Sequence, residues 1–423
     1  MEIPLENDLE NGTPLCIDLD GSLIKSDILI ESVFALLKKN FLYIFLLPVW
    51  LSRGKAYLKD QIAQRAEVDV TLLPYNEGLL GYISAARDAG REVILATASH
   101  RKYAEQIATH LGFFSAIIAT DATQNVSGHT KARLLTERFG EGGFDYAGNA
   151  PIDLEIWRKS RRAVLVNPER GVETAARALG NVEKVIDDRR GGIGPYIKAI
   201  RAHQWLKNLL VFVPLLAAHR LSEWNLFVDA CLAFIAFSLC ASSVYLLNDL
   251  LDLPADRAHP RKRLRPFAAG TIRPMYGAAL IPTLLLASIL VCLALPGLFF
   301  VVLMVYYAFT VAYSFYLKRV VLVDVLVLAG LYTLRVIGGA AAVLVEPSFW
   351  LLALSMFMFM SLALVKRSAE LYVQRARDEK TAAGRGYRVT DMEYLHSMGT
   401  ASGYLAVCNR SLSDVLPSRA SRA

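Results

Sequence analysis

The chain has 423 residues, 54% of them apolar, and a formal net charge of +7. That apolar share, with a positive mean hydropathy, is too high for an ordinary soluble protein, and the apolar residues are unevenly placed. Five cysteines (Cys16, Cys231, Cys240, Cys292 and Cys408) are scattered without paired spacing, which argues against a disulfide framework or a zinc site. Four lie in predicted apolar segments and read as buried free thiols. Residues 1–14 are acidic and polar, so no signal peptide is expected there. Composition is ordinary up to about residue 195. It becomes a series of apolar blocks after Gly191-Gly192-Ile193-Gly194-Pro195, where a domain boundary is expected.

Four elements of the first 195 residues end in polar side chains. Leu15-Cys16-Ile17-Asp18-Leu19-Asp20-Gly21-Ser22 reads as a short strand ending in Asp-x-Asp-Gly. Val93-Ile94-Leu95-Ala96-Thr97 is a second strand, ending in a hydroxyl. Gly128-His129-Thr130-Lys131 sets a lysine at the start of a helix. Phe144-Asp145-Tyr146-Ala147-Gly148-Asn149, followed by Asp153, supplies the fourth. Polar groups at strand C-termini fit the ligand-binding edge of a parallel α/β sheet. In this order the four resemble the haloacid dehalogenase (HAD) phosphohydrolase family over most of residues 10–190. The resemblance implies an α/β fold, a Rossmann-type parallel sheet with a small helical cap. It also implies that Asp18 is the nucleophile taking the phosphoryl group and Asp20 the general acid/base. Thr97 and Lys131 would hold the phosphate oxygens, and Mg²⁺ would sit on Asp18, the Asp20 carbonyl, Asn149 and Asp153. The chemistry is sound on its own terms. An aspartate can form an acyl-phosphate, and a metal and a lysine offset transition-state charge. Asn149 stands where the family more often has Asp, keeping a carbonyl ligand but no charge, and Ser22 replaces the commoner Thr. The alternative is a folded domain that binds or regulates without turnover.

Residues 27–80 are expected to form the cap. Within them, residues 41–51 (FLYIFLLPVWL) are strongly apolar but too short to span a bilayer, with Lys38 and Lys39 on one side and Arg53 on the other. They either rest in the headgroup region or form a buried cap helix.

Beyond the boundary, a spanning helix needs about 20 mostly apolar residues. Six stretches qualify, near 205–219, 226–247, 276–295, 298–317, 320–345 and 348–365, the first being short and holding Pro214. They predict an all-α transmembrane bundle. The connections at 220–225, 296–297 and 346–347 carry almost no Lys or Arg, whereas those at 252–273, 318–319 and 366–388 are rich in them. This alternation predicts a multi-pass protein of the inner or plasma membrane, with its basic loops and N-terminal domain cytoplasmic. It accounts for much of the net charge, so the bilayer is the expected partner and nucleic acid is not.

Residues 248–270 read NDLLDLPADRAHPRKRLRPFAAG. On a continuous helix the spacing of Asp249, Asp252 and Asp256 puts three carboxylates within about a 60° arc, a cluster that needs a cation and suits Mg²⁺. Pro254 can kink or end that helix between Asp252 and Asp256. A basic run follows: Arg257, Arg261, Lys262, Arg263 and Arg265. Metal-binding carboxylates beside phosphate-gripping cations at a membrane surface predict diphosphate chemistry on a lipid, against the plainer reading of a cytoplasmic loop. Asn248, Asp249, Asp252, Asp256, His259, Pro260, Lys262, Arg265 and Pro266 resemble the Asp-rich motif of the UbiA superfamily of intramembrane prenyltransferases, over about residues 196–407. Members usually carry a second motif with paired aspartates. Here Tyr313–Lys318 is followed by Asp324 alone and then Arg335. With residues 203–208 (HQWLKN), this is most similar to the decaprenyl-phosphate phosphoribosyltransferase branch.

That branch implies phosphoribosyl pyrophosphate as donor and a polyprenyl phosphate as acceptor. Asp249 and Asp252 would be catalytic, holding Mg²⁺ with Asp256, and Lys207, Asn208, Asn248, Lys262, Arg265, Lys318, Asp324 and Arg335 would bind substrate. Asp324 and Arg335 lie on one face, about 16 Å apart along the axis. They either line the bundle interior or pair structurally through a neighbouring helix. His203 and Trp205 can equally anchor the first helix at the interface. UbiA-type domains usually have eight or nine spans. Here a seventh segment runs from Met392 to Cys408 and a polar tail occupies 409–423, so a C-terminally shortened domain is expected. The fusion suggests that the HAD domain removes the ribose 5-phosphate from the lipid product. Two other functions stay open: prenyl transfer from a prenyl diphosphate to an aromatic or other acceptor, and a non-catalytic, membrane-tethered HAD-like module.

Overall fold

The computed structural model describes residues 12–189, 192–376 and 386–415. By packing they divide into two units: Met1–Ala199 with Asp249–Ala279, and Ile200–Asn248 with Leu280–Ala423. The Asp-rich segment thus groups with the N-terminal residues. Of the expected boundary, residues 190–191 lie outside the described residues, as do 377–385 of the basic loop and 416–423 of the tail.

The first unit is built on six parallel strands: β1 (Leu15–Ile17), β2 (Val93–His100), β3 (Ala116–Thr120), β4 (Asp145–Gly148), β5 (Arg162–Val166) and β6 (Val182–Ile186). Their order is β3-β2-β1-β4-β5-β6. Short runs such as Leu-Cys-Ile are apolar throughout because a parallel sheet is covered on both faces. Alternation then sends Leu15 and Ile17 into one core, with Leu79, Ile83 and Ile107. Cys16 goes to the other, with Leu135, Tyr146 and Trp157. The strand order reverses direction between β1 and β4, so the crevice for a ligand opens at their C-terminal ends.

The cap is helical, as expected. Helices Ile28–Lys39, Leu46–Ser52 and Lys55–Arg65 close on Leu36, Trp50, Ile62 and Ala66. Asp27 starts the first of them by accepting from the Ile30 amide at 2.9 Å. Residues 41–52 form a 3₁₀ turn and a short helix. Leu42, Ile44, Phe45, Leu46, Val49 and Leu51 are exposed and Trp50 alone is buried there, so the buried-helix alternative does not hold for most of this segment.

The second unit is helical. Five helices are long and apolar enough to cross a membrane: Trp224–Leu251, Pro274–Cys292, Gly297–Phe315, Val323–Ala342 and Phe349–Arg375. The two that begin or end beside the Asp-rich segment run on into the first unit. At 1.5 Å per residue the 28-residue Trp224–Leu251 helix is about 42 Å long, more than a hydrocarbon core requires. Leu286, Leu290, Leu298, Val301, Phe309 and Leu362 remain exposed, as lipid-facing side chains do. The first expected span, 205–219, is not among them: Ala202–Phe212 is 3₁₀ helix and Val213–Ala217 a short α-helix with Pro214 in its first turn. Met392–Val415 is a helix whose Leu395 packs with Val325, Leu364 and Leu371. The cysteines are free, but Cys408 is exposed and Cys231 only half-buried. Cys408 sits where that last helix turns polar, and Cys231 on a helix with a lipid-facing side.

Candidate functional site

Two groups of polar side chains occupy the first unit. The first lies at the crevice between β1 and β4. Asp18 follows β1 directly. Its Oδ1 accepts from Lys131 Nζ at 2.6 Å, and the same ammonium donates to the Tyr146 hydroxyl at 2.9 Å. Tyr146 donates in turn to Asp153 Oδ1 at 3.1 Å. Asp20 is fixed by the Ile28 amide at 2.8 Å and the Ser99 hydroxyl at 2.6 Å. The Thr97 hydroxyl, fully buried, accepts from the Ser99 amide at 2.9 Å. Burial raises the Asp18 carboxyl against the opposing Lys131 charge, and burial, then the nearby Asp27 charge, raises Asp20. Burial alone would lower Lys131, but the Asp18 and Asp153 charges outweigh it and its pKa is raised. Asp18, Asp20, Thr97, Lys131, Asn149 and Asp153 thus gather in one place, as their motifs predicted.

Lys59 of the cap was not expected there. Its ammonium donates to the Ala98 carbonyl at 2.6 Å and to Asn125 Oδ1 at 2.7 Å. Burial lowers its pKa while the charges of Asp20 and Asp27 oppose the shift. No motif marks it; a cap lysine opposite an Asp-x-Asp loop was the only available signal.

Of the four groups expected to hold a metal ion in this crevice, the Asp20 carbonyl, Asn149 and Asp153 are engaged by protein partners, and Asp18 is engaged through one oxygen. Asp153 Oδ2 accepts from the Asn149 and Ala150 amides, both at 2.9 Å. The Asn149 side chain satisfies its neighbours when its nitrogen faces the Asp20 carbonyl and Ser22 Oγ, both at 3.2 Å. Its oxygen then accepts from Arg273 at 3.2 and 2.5 Å. Gly21, at φ +79°, has no room for a Cβ, which would come within 2.6 Å of Asn149 Nδ2 and 3.0 Å of Arg273 Cζ. The donor set therefore does not fit a divalent cation.

The second group is the Asp-rich segment. Helix Trp224–Leu251 ends one residue before Asp252, which has φ −103° and ψ 12° and precedes helix Leu253–Ala258 with Pro254 in its first turn. The three carboxylates therefore do not share a helical face. Among the described residues no three metal-ligating side chains gather closely enough to hold an ion. Instead, Asp249 and Asp256, both buried, converge on Arg265 Nη1 at 3.1 and 2.6 Å. Asp252 meets Lys38 of the cap at 2.9 Å. The same segment is tied to the cap by a buried bidentate pair, Arg257 to Glu31, at 2.9 and 2.6 Å. Asn248 holds a buried amide oxygen without a partner among the described residues. Mg²⁺ commonly takes one or two carboxylates, and Asp249 and Asp256 would hold one with Arg265 displaced from them. Lys262 is exposed.

In the second unit, Arg335 is buried and donates to Asn208 Oδ1 at 2.7 Å, the Leu331 carbonyl at 2.7 Å and the Tyr306 hydroxyl at 2.9 Å. Its guanidinium and the Lys207 ammonium both lie near the Tyr332 ring. Asp324, fully buried, pairs not with Arg335 but with Arg367 at 2.6 Å, and accepts from the Tyr387 hydroxyl. Arg367 also reaches Glu370 at 2.8 Å and Tyr313 at 3.2 Å. Asp324 is thus paired through a neighbouring helix. Trp205 donates to Ser242 at 3.0 Å, and His203 is exposed. Lys318 lies in a short 3₁₀ turn.

Residues 209–388 match the UbiA prenyltransferase family, and residues 16–155 match the haloacid dehalogenase-like hydrolases. An uncharacterized protein of Sinorhizobium fredii, y4nM, is 38% identical over 93% of this chain and 76% of its own length. The nodulation protein NoeC of Azorhizobium caulinodans is 36% identical over 50% of this chain and 69% of its own. A decaprenyl-phosphate phosphoribosyltransferase of Mycolicibacterium smegmatis is 39% identical over 41% of this chain, which spans 56% of that relative. The chain belongs to the UbiA prenyltransferase family as a multi-pass membrane transferase that carries a haloacid dehalogenase-like domain ahead of its helices.

Proposed function

We propose that the membrane domain transfers phosphoribose from phosphoribosyl pyrophosphate to a polyprenyl phosphate. The observation that carries this reading is the convergence of Asp249 and Asp256 on the Arg265 guanidinium, in a chain similar to enzymes named for that reaction. Asp249 and Asp256 are the residues to hold Mg²⁺, which when bound supplies charge neutralisation for the departing pyrophosphate. Arg265 moves from the carboxylates to the diphosphate oxygens, with Lys262 beside it in sequence. Asp252 is held by Lys38, and would be a further carboxylate for the metal only with that lysine displaced. The anomeric carbon gains oxocarbenium character as its bond to pyrophosphate breaks. A lipid phosphate oxygen forms the new bond, and being anionic it needs no general base. Arg335, Lys207 and Lys318 are the cations of the second unit suited to phosphate, and Arg335 donates its hydrogen bonds to neutral groups.

The N-terminal domain acts on the product. Asp18 attacks the ribose 5-phosphate and Asp20 protonates the leaving hydroxyl, then activates water. Lys131 and Thr97 bind the phosphoryl oxygens. The test is incubation of membranes with labelled phosphoribosyl pyrophosphate and polyprenyl phosphate, followed by chromatography of the lipids. Label must enter the lipid fraction, and Asp249→Ala must abolish this while membrane insertion persists. Label confined to water-soluble products in the wild type would sink the transferase assignment.

A further inference from the structure

We propose that Arg273 takes the place of the divalent cation in the N-terminal crevice, so that this site binds a phosphate monoester between Arg273 and Lys131 without metal. The inference rests on the phosphohydrolase reading of that crevice and names its anion-binding residue. Three observations carry it. First, two of the four metal ligands expected from the motifs are taken up by protein donors: the Asp20 carbonyl by the Asn149 amide nitrogen, and Asp153 by two backbone amides and a tyrosine hydroxyl. Second, the position that would carry a fourth carboxylate is Asn149, and its neutral oxygen accepts from a guanidinium. An aspartate and a metal ion have been exchanged for an amide and an arginine, which keeps one positive charge there. Third, Arg273 is held in place. Glu169 Oε1 accepts from it at 2.6 Å, and the Glu169 amide donates to the Asn149 carbonyl at 2.9 Å.

Arg273 therefore stands against Gly21, at one end of the Asp18–Gly21 loop, while Lys131 grips Asp18 at the other. A cavity of about 690 Å³ opens beside Gly21 and Arg273, lined also by Lys25, Arg170, Glu169 and Asp188. Of the Asp18–Gly21 loop it reaches Gly21. A guanidinium offers a planar fork of donors to phosphate oxygens, and unlike a metal ion it cannot be removed by a chelator. Arg273 follows the basic Asp-rich segment in sequence, so the segment that handles one phosphate also supplies the cation for the second site.

The experiment uses the full chain carrying Asp249→Ala, which removes the proposed transferase metal ligand, in detergent with either excess EDTA or Mg²⁺ in excess of the EDTA, and titrates inorganic phosphate calorimetrically. A second arm presents polyprenyl phosphate in nanodiscs, which separates a lipid headgroup from free phosphate as the source of the anion. Expected are binding in EDTA that added Mg²⁺ changes by less than about twofold, and weakening by about tenfold or more in both Arg273→Gln and Lys131→Met. The double variant Asn149→Asp with Arg273→Gln restores the usual donor set. It should bind phosphate only when Mg²⁺ is added, which also proves that the fold survives. Arg273-dependent binding of either probe in EDTA supports the inference, even if the wild type hydrolyses no phosphomonoester and the phosphatase reading falls. Binding that requires Mg²⁺, or that Arg273→Gln leaves unchanged, overturns it.

Discussion

At the scale of the residue, the second unit turns on Asp324 and Arg367. Both are buried, the first fully, and a charge at that depth persists only when paired and hydrogen-bonded. Arg367→Met leaves Asp324 with the Tyr387 hydroxyl alone, and should destabilise the bundle by about 3–5 kcal/mol. Asp324→Leu with Arg367→Met removes both charges and should recover most of that loss. Thermal unfolding in detergent measures the three proteins, and a double variant no better than Arg367→Met would show that the pair does not act as a unit. Asp324 was visible in the sequence as a lone carboxylate in an apolar run, but its partner was not. Helical periodicity gives the face on which a side chain lies; it says nothing of which of several arginines on another helix will meet it. Lys59 was hidden for a related reason, since cap and crevice come together only through the fold. Lys59→Met should raise KM for a phosphomonoester about tenfold, because one charge-assisted contact is lost. Lipid phosphoribosylation by the same variant should be unaltered, and an unchanged KM would confine Lys59 to a structural role.

At the scale of the element, strands were legible, and breaks only as the prolines that permit them. Each strand of the crevice is a run of buried residues ending at a polar one, so the alternation from core to edge is written in the sequence itself. The three- and four-residue spacing of the Asp-rich segment suits one helix, with Pro254 marking where that helix can end. Pro254 opens a new helix and turns Asp252 aside to Lys38, bringing Asp249 and Asp256 together through Arg265. The 3₁₀ stretch Ala202–Phe212 passed for the start of a span because composition marks apolarity and not pitch. Residues 41–52 show what composition alone leaves open. Six of their large apolar side chains are exposed, beside Lys39, Arg53 and Lys55. That pairing of an apolar face with flanking cations suits a bilayer surface. A nitroxide at Phe45→Cys in reconstituted vesicles should collide more with oxygen than with a water-soluble nickel chelate, while one at Glu67→Cys should show the reverse. Equal accessibility to the chelate at both positions would place the segment in water.

At the scale of the whole molecule, the charge pattern and the two kinds of chemistry make separate demands. The distribution of Lys and Arg predicts an orientation with residues 1–195 and the 252–273 segment in the cytoplasm, where a phosphoribosyl donor would be water-borne. Labelling of Arg263→Cys by an impermeant reagent added outside intact cells would contradict that orientation. The chemistry divides differently. Asp18, the proposed nucleophile, stands at a strand end, whereas Asp249 and Asp256 face a cation in a segment between two spans, so the two proposed reactions use no common residue. Asp18→Asn keeps size and hydrogen bonding but cannot form an acyl-phosphate. It should stop phosphate release while labelled phosphoribose still enters the lipid, and the lipid that accumulates should keep its 5-phosphate. Asp249→Ala should do the opposite, ending lipid labelling while hydrolysis of a soluble phosphomonoester continues. Mass spectrometry of the lipid fraction reads both variants. Lipid products of identical mass in wild type and Asp18→Asn, with no phosphate released by either, would leave the N-terminal domain as a binding module.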